Sequence, residues 1–485
     1  METGQKNSPK QGFFIEVGCP GCGGELEINS DFFVTKCSHC GSPLRLILPD
    51  TPPAYLLPNK LSQQEVRFKI DRQLKSQGLP LTGQSLVYKN LYYPYWKIEA
   101  MLLRCRNRKE RVAAQMDDSA GEEIIDYKKS SHVSLTPYLI TVAASNQIKG
   151  VPDSIGVRGQ SLTVVPFASS KIDEGFDLLV VRRSPEEVVK TIELAVSRMN
   201  TIELAEIGEN FTKIFNPVTS LIFFPFCIAE DYGGDGYRRH VLDGLTGRIL
   251  STQDSEQGET GPESEPDFEI PDEGIRFALE DTAGELGFPD AKFGAVQVSF
   301  HRCSVCGVDL PARQSCIYIC NNCHELTSLD KQLQIKPEIL APETPEKDSF
   351  FFPFWSYQTN PGKHFGSLNE LDRILVPAFK IPNFEALYRL TCRASTAAIK
   401  LDFQAIECLD DRYAPVDIFP SMGIALANVV HSRYALEKAN RLPAQELQLC
   451  TEDVALCFIP FKLEDYFYVD SVLKSVTFEK SIAIL

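Results

Sequence analysis

Eight cysteines stand in four Cys-x-x-Cys pairs. Cys19-Pro20-Gly21-Cys22 is followed after fourteen residues by Cys37-Ser38-His39-Cys40; Cys303-Ser304-Val305-Cys306 is followed after thirteen by Cys320-Asn321-Asn322-Cys323. Each pair aims two thiolates at one ion, and two pairs complete a sulfur tetrahedron. Four thiolates leave no position open to water or substrate, so the spacing predicts two structural ions rather than catalytic ones. Zinc is the expected metal, with iron of the rubredoxin kind as the alternative, since both accept four sulfurs. His39, His301 and His324 lie beside these ligands and are read as bystanders. A module of some thirty residues cannot bury a sufficient core of its own. Structural zinc supplies about 10–16 kcal/mol of folding free energy in such peptides.

The elements that must hold these ligands read as two zinc ribbons, at 14–48 and 298–328. In the first, Glu25–Ile28 and Phe32–Thr35 are short alternating strands between the cysteine pairs. Each ribbon is followed by a larger body, at 55–250 and 348–485. Residues 1–13 read as a disordered tail. The stretch 251–272 is acidic and rich in Gly, Pro and Ser, with too little apolar surface to order itself, so it reads as a flexible linker.

The bodies share a motif in four copies: LYYPYWKIEA (91–100), LIFFPFCIAEDY (221–232), SFFFPFWSYQ (349–358) and LCFIPFKLEDY (456–466). LTVVPFA (162–168) and ILVPAFKI (374–381) carry related punctuation. The second and fourth copies agree best, sharing Phe-x-Pro-Phe and Glu-Asp-Tyr, and an internal duplication is the simplest account. Aromatic and β-branched residues suit a strand. Proline cannot donate to a central ladder, so it is expected at a strand edge, bulge or start. Glycines at 233–236 predict a hairpin, and YRRHVLDGLTGRIL (237–250) reads as strand, tight turn, strand.

Helices are signalled by a capping box at Ser62–Glu65 opening 63–77 and by Ser184-Pro185-Glu186-Glu187. The latter precedes a stripe of Val188, Ile192, Ala195 and Met199. Further helices are expected at 272–286, 367–374, 383–396 and 421–440. The fold class is therefore α+β, with antiparallel sheets covered by helices.

Outside the ribbons the chemistry is thin. The seven histidines form no nucleophile–base pair, and no phosphate-binding Gly-rich loop is present, so no catalytic residue is assigned. Arg104, Arg106, Arg108, Lys109 and Arg111 follow the first motif. A row of guanidiniums suits an acidic partner or a phosphate backbone, and also suits an edge strand guarded against aggregation. A net charge of -16 opposes general nucleic-acid affinity. Cys105, Cys227, Cys316, Cys392, Cys408, Cys450 and Cys457 are scattered and set in apolar runs, as buried free thiols in a reducing compartment would be. The opening METGQKNSPKQG lacks the apolar segment of a signal peptide. The longest apolar run, Leu221 to Ala229, is about half a membrane span. A cytoplasmic protein without a membrane span is expected.

The cysteine knuckles resemble those of transcription-factor-type and ribosomal zinc ribbons, a likeness confined to the two ribbons. The N-terminal ribbon, the aromatic-Pro-aromatic strands and the Val-Leu-Asp-Gly-Leu-Thr-Gly hairpin together also look like a loose set of bacterial zinc-ribbon proteins. Some of that set carry membrane helices, which this sequence lacks. The resemblance implies a ribbon fold and a zinc site and transfers no activity. The expected role is a non-catalytic zinc-binding scaffold or adaptor for protein partners. Nucleic-acid binding through the ribbons and the 104–111 strand is the alternative. An enzyme with a cleft between the bodies is the third reading.

Overall fold

The computed structural model describes residues 13–30, 34–49, 51–76, 86–117, 122–145, 148–156, 163–198, 211–233, 236–254, 293–329, 337–343, 348–359, 371–398, 400–439, 447 and 449–482. The first half contains β1 (Phe14–Gly18), β2 (Glu25–Asn29), β3 (Val34–Lys36), β4 (Pro43–Ile47), β5 (Ala54–Leu56), α1 (Gln63–Ser76), β6 (Leu86–Asp117) and β7 (Glu122–Ala143). It continues with β8 (Thr163–Pro166), β9 (Phe176–Leu178), α2 (Pro185–Arg198), β10 (Phe211–Gly233), β11 (Gly236–Asp243) and β12 (Ile249–Asp254). The second half contains β13 (Gln297–Phe300), β14 (Ile317–Ile319), β15 (Leu326–Ser328), β16 (Glu338–Pro342), β17 (Phe350–Thr359), β18 (Arg373–Pro377) and α3 (Phe384–Ala398). It ends with β19 (Phe403–Ala405), α4 (Pro420–Ala439), β20 (Leu449–Glu464), β21 (Phe467–Asp470) and β22 (Thr477–Glu479). The class is α+β, as the patterning predicts.

Both bodies are built on one strand plan. The first has the order β7-β6-β10-β5-β8 and the second β18-β17-β20-β16-β19. In each, the long central pair is antiparallel, and the next neighbour, β5 or β16, runs parallel to the second central strand. A hairpin, β11–β12 or β21–β22, continues from that same strand. The registers agree as well. Pro94 faces Phe223 while Tyr92 faces Pro225; Pro353 faces Phe458 while Phe351 faces Pro460.

The four prolines correct the expectation that they mark strand edges, starts or bulges, because each lies inside a central strand. β6 pairs with β9 up to Tyr92 and with β7 from Tyr95. β10 pairs with β5 up to Phe223 and with β11 from Phe226. β20 pairs with β16 up to Cys457 and with β21 from Phe461. On β17, Phe351 bridges Tyr413, and pairing with β18 starts at Phe354. Each proline sits at the seam between two outer neighbours. Its carbonyl accepts from the chain turning away there: Ala144 N–H to Pro94, Gly244 to Pro225, Ala378 to Pro353 and Ser471 to Pro460, at 2.8–2.9 Å. The N–H and C=O of a strand residue point to the same side. The missing donor therefore faces the seam, and no central ladder bond is lost.

Helices cover the faces. Ser62 and Glu65 form the expected reciprocal cap of α1, whose Val66, Ile70 and Leu74 are buried on Cys227, Ala229 and Leu242. Ser184 and Glu187 cap α2 likewise. Its buried stripe is Val188, Ile192 and Val196, packed against Trp96 and Phe223; Ala195 is exposed and Met199 lies outside the described residues. Helices α3 and α4 answer the expectations at 383–396 and 421–440. The helix expected at 367–374 is corrected at its described end. Arg373–Pro377 is strand β18, where Ile374 and Val376 pair with Tyr357 and Trp355, since β-branched residues favour the half-buried sheet. Ser251–Asp254, expected to open the linker, instead extends the sheet as β12 against β11. The remainder, 255–272, the helix at 272–286 and residues 1–12 of the tail lie outside the described residues.

The aromatic motifs are core. Tyr92, Tyr93, Tyr95, Trp96, Phe223, Phe224, Phe352, Phe354 and Trp355 are all buried. Of the cysteines outside the pairs, Cys105, Cys227, Cys316 and Cys457 are buried, Cys392 and Cys450 half-buried, and Cys408 exposed, so the buried-thiol expectation fails at Cys408. Burial pushes Cys227 and Cys457 up to about 12, which keeps these thiols protonated.

Candidate metal centres

Four turns of one geometry present the paired cysteines. The first cysteine's N–H reaches the carbonyl five residues on: Cys19 to Gly24, Cys37 to Ser42, Cys303 to Val308 and Cys320 to Glu325. The N–H four residues on returns to that cysteine's carbonyl, from Gly23, Gly41, Gly307 and His324. The returning residue is left-handed in every turn, at φ of 73°, 75°, 74° and 56°. Glycine fills the position three times because it carries no Cβ penalty there; His324 fills the fourth.

The turns converge as two tetra-cysteine clusters, Cys19/Cys22/Cys37/Cys40 and Cys303/Cys306/Cys320/Cys323, with all sulfurs of a cluster within 4.8 Å of one another. Cys19 and Cys40 lie 3.8 Å apart and Cys22 and Cys37 3.7 Å. Cys303 and Cys323 lie 3.6 Å apart and Cys306 and Cys320 3.5 Å. A disulfide would be about 2.05 Å. A sulfur tetrahedron around an ion at about 2.3 Å has edges of about 3.8 Å. The donor set therefore fits a four-coordinate metal ion.

The metal-free electrostatics point the same way. Ser42, through its hydroxyl and N–H, holds Cys40 down at about 6, and the Val308 N–H and Asn322 do the same for Cys306. Cys22 and Cys323 move oppositely. The N–H groups of Gly24 and Glu325 favour their thiolates, yet burial and the crowded sulfurs push both up to about 12. Four thiolates at one point repel, and a cation relieves that repulsion.

The neighbouring histidines stay outside both clusters. The His39 ring lies 3.2 Å from the Glu25 carbonyl. His301 is buried against Tyr318, and burial, with the Arg45 charge, pulls it down to about 4. Arg104 and Arg106 lie on β6 with Arg108, Lys109 and Arg111, in register with Tyr127–Ser134 of β7. The side chains of 107–131 are outside the described set.

The ribbons are not separate modules. The first divides between two sheets: β1 and β2 extend the body sheet through β8, while β3 and β4 form a three-stranded sheet with β13 of the second ribbon. Leu44 faces Phe300 and Ile47 faces Gln297. Phe300 and Val298 pack with Cys19, Cys37 and Leu44, and Val34 packs with Cys303, Leu310, Tyr318 and Cys320. Gly21 is where Phe300 approaches, and a Cβ there would lie 3.2 Å from the ring. Sequence reading missed this exchange. Its only local trace is the ordinary strand character of Val34–Lys36, Pro43–Ile47 and Gln297–Phe300, which names no partner.

Compared with known proteins, the chain matches no family model, no curated protein and no solved structure. Among the described residues no helix is long and apolar enough to cross a membrane.

Proposed function

We propose that the chain is a non-catalytic scaffold that holds two structural zinc ions and engages protein partners through its ribbon–body units in a reducing, cytoplasmic setting. The observation that carries this reading is the closure of both clusters. Each has four cysteine sulfurs gathered on tetrahedral edges, so the ion shapes the chain and offers no coordination site to a substrate. Four thiolates suit zinc, and a compartment that keeps thiols reduced keeps them available. The shared strand plan and proline register support descent of the two bodies from one duplicated unit. Metal analysis tests the reading. It expects two zinc ions per chain and a partner held by the loaded chain but released after chelation. Fewer than two metal ions per chain would overturn it.

A second reading rests on the β6–β7 hairpin. β10 stops pairing with β6 at Cys105, yet β6 runs on to Asp117 against β7 alone among the described residues. Arg106, Arg108, Lys109 and Arg111 lie on this two-stranded extension, just beyond Arg104, with Lys128 and Lys129 in register. Such a ribbon is of a size that the DNA major groove admits. A salt-sensitive shift of labelled duplex, lost when Arg104, Arg106 and Arg108 become Ala, would favour it over the scaffold.

A further inference from the structure

We infer that the two metal sites are energetically coupled, so that the paired ribbons act as one metal-dependent clasp joining the two halves of the chain; this rests on both clusters holding zinc. The coupling path is short and continuous. β4 leaves the Cys37/Cys40 turn directly, and β13 enters the Cys303/Cys306 turn directly. The His301 N–H donates to the Pro43 carbonyl at 2.8 Å, a bond three residues after Cys40 and two before Cys303. Arg45 Nε donates to Ser299 Oγ at 3.2 Å across the same strand pair.

The exchange of core residues is reciprocal. Val34 stands three residues before Cys37 but is buried among the second cluster's Cys303 and Cys320. Phe300 stands three residues before Cys303 but packs on the first cluster's Cys19 and Cys37. Each ribbon lacks part of its apolar core without the other. A module this small is folded largely by its metal, so an empty site releases its turn, its strand and the side chain it lends. The neighbouring ribbon then binds its ion from a less ordered state, and affinity falls. Linkage requires the penalty to be the same in both directions.

The linker side of the interface is tied in too. Pro53 bridges Gly294, the Gly294 N–H donates to Pro52, and the Ala54 N–H to Gly294. The strand arriving at the second ribbon is thereby stapled to the strand leaving the first.

The test uses the full chain in three forms: wild type, Cys303→Ser/Cys306→Ser, and Cys19→Ser/Cys22→Ser. Zinc affinity of each site is read by competition with a chromophoric chelator. Coupled sites give a wild-type chain that loses both ions in one transition. Each surviving site in the variants is then weakened by the same factor, tenfold or more. A surviving site within twofold of its wild-type affinity overturns the inference. Because a serine pair can unfold a ribbon wholesale, Phe300→Ala, which keeps all eight cysteines, is titrated alongside. Coupling predicts that it weakens the first site although it removes no ligand, and an unchanged first site counts against coupling. Wild-type metal content separates the two claims. Two zinc ions that leave independently sink only the coupling, whereas fewer than two sink the zinc reading itself.

Discussion

The side-chain amide of Gln314 is bonded to both backbone groups of Val34: the Val34 N–H reaches Gln314 Oε1 at 3.4 Å, and Gln314 Nε2 donates to the Val34 carbonyl. One residue of the second ribbon thus stands in as a strand neighbour for β3, whose other side pairs with β4. Removing it strips two hydrogen bonds from a residue that is 1% exposed. At 0.5–1.5 kcal/mol each, Gln314→Ala should cost about 1–3 kcal/mol. Denaturant unfolding of the metal-loaded chain measures this, and Gln314→Glu, which turns a carboxylate oxygen onto the Val34 carbonyl, should cost at least as much.

Trp96 and Trp355 follow their prolines by two residues and play one part. Trp96 Nε1 donates to the Arg183 carbonyl and Trp355 Nε1 to that of Ile418, both at 2.7 Å. Each acceptor lies two residues before the proline that opens a helix, Pro185 or Pro420. The indoles therefore fix where α2 and α4 begin over their sheets. Trp96→Phe should destabilise by about 1–3 kcal/mol, the cost of leaving the Arg183 carbonyl without the indole. After Trp355→Phe the Ile418 carbonyl keeps Cys316 Sγ at 3.4 Å, and the loss should be smaller. Calorimetry reads the loss. The larger shift is expected for Trp96→Phe, because the Ile418 carbonyl has a second donor.

Asp470 supplies four acceptor contacts to one turn: Oδ1 takes the N–H groups of Leu473 and Lys474, and Oδ2 those of Ser475 and Val476, at 2.6–2.9 Å. Asp243 holds the matching place opposite Phe226, as Asp470 does opposite Phe461, and its Oδ1 caps Leu245 and Thr246. Asp470→Asn keeps the shape and turns an NH2 toward two donors. It should cost about 2–4 kcal/mol, since hydrogen bonds to a charged acceptor are worth about 1.5–3 kcal/mol each. The same change at Asp243 can keep its amide oxygen on Leu245 and Thr246, so those two caps survive it, and parallel denaturation curves compare the two variants.

The cysteines were legible because a metal turn is a local object: spacing alone brings its ligands together. The caps of α1 and α2 were legible for the same reason. The phase of α2 was not, because Ala195 and Val196 both fit a helical stripe, and the larger side chain takes the buried position. The proline motif was visible as a repeat but misplaced. Whether a missing N–H matters depends on which strand lies alongside, and that partner is more than a hundred residues away at Phe223 for Pro94. The shared Glu-Asp-Tyr was misleading. Glu230 lies in the β10 ladder opposite Arg239, whereas Glu464 closes the turn onto Phe467. The crossing of Val34 and Phe300 into each other's ribbons left no mark beyond ordinary strand residues.

His324 is the one non-glycine at the left-handed position of the four cysteine turns, at φ 56°. A side chain there costs on the order of 1 kcal/mol relative to glycine. Part of that gain is returned by the greater freedom of glycine in the unfolded chain. His324→Gly should therefore leave the sulfur cluster intact and raise the chelator concentration needed to strip the second site. The matching change Gly307→His should lower it. Titration of both variants with one chelator gives the comparison within a single ribbon.

Loading either site must displace protons. At neutral pH Cys40 and Cys306, held down at about 6, are already thiolates. Cys22 and Cys323, pushed up to about 12, still carry their protons. A metal takes all four sulfurs as thiolates. Between about pH 6 and 12, binding therefore expels a proton from Cys22 or Cys323, and apparent affinity falls about tenfold for each unit of acidification per proton expelled. Below about pH 6, Cys40 and Cys306 become protonated as well, so the slope steepens. The sign is fixed: acid releases the metal and alkali retains it. Competition titrations from pH 5.5 to 8 should show a rising slope toward acid, and calorimetry in two buffers of different ionisation enthalpy should show proton release at neutral pH. A pH-independent affinity would mean that the four sulfurs are not the ligands.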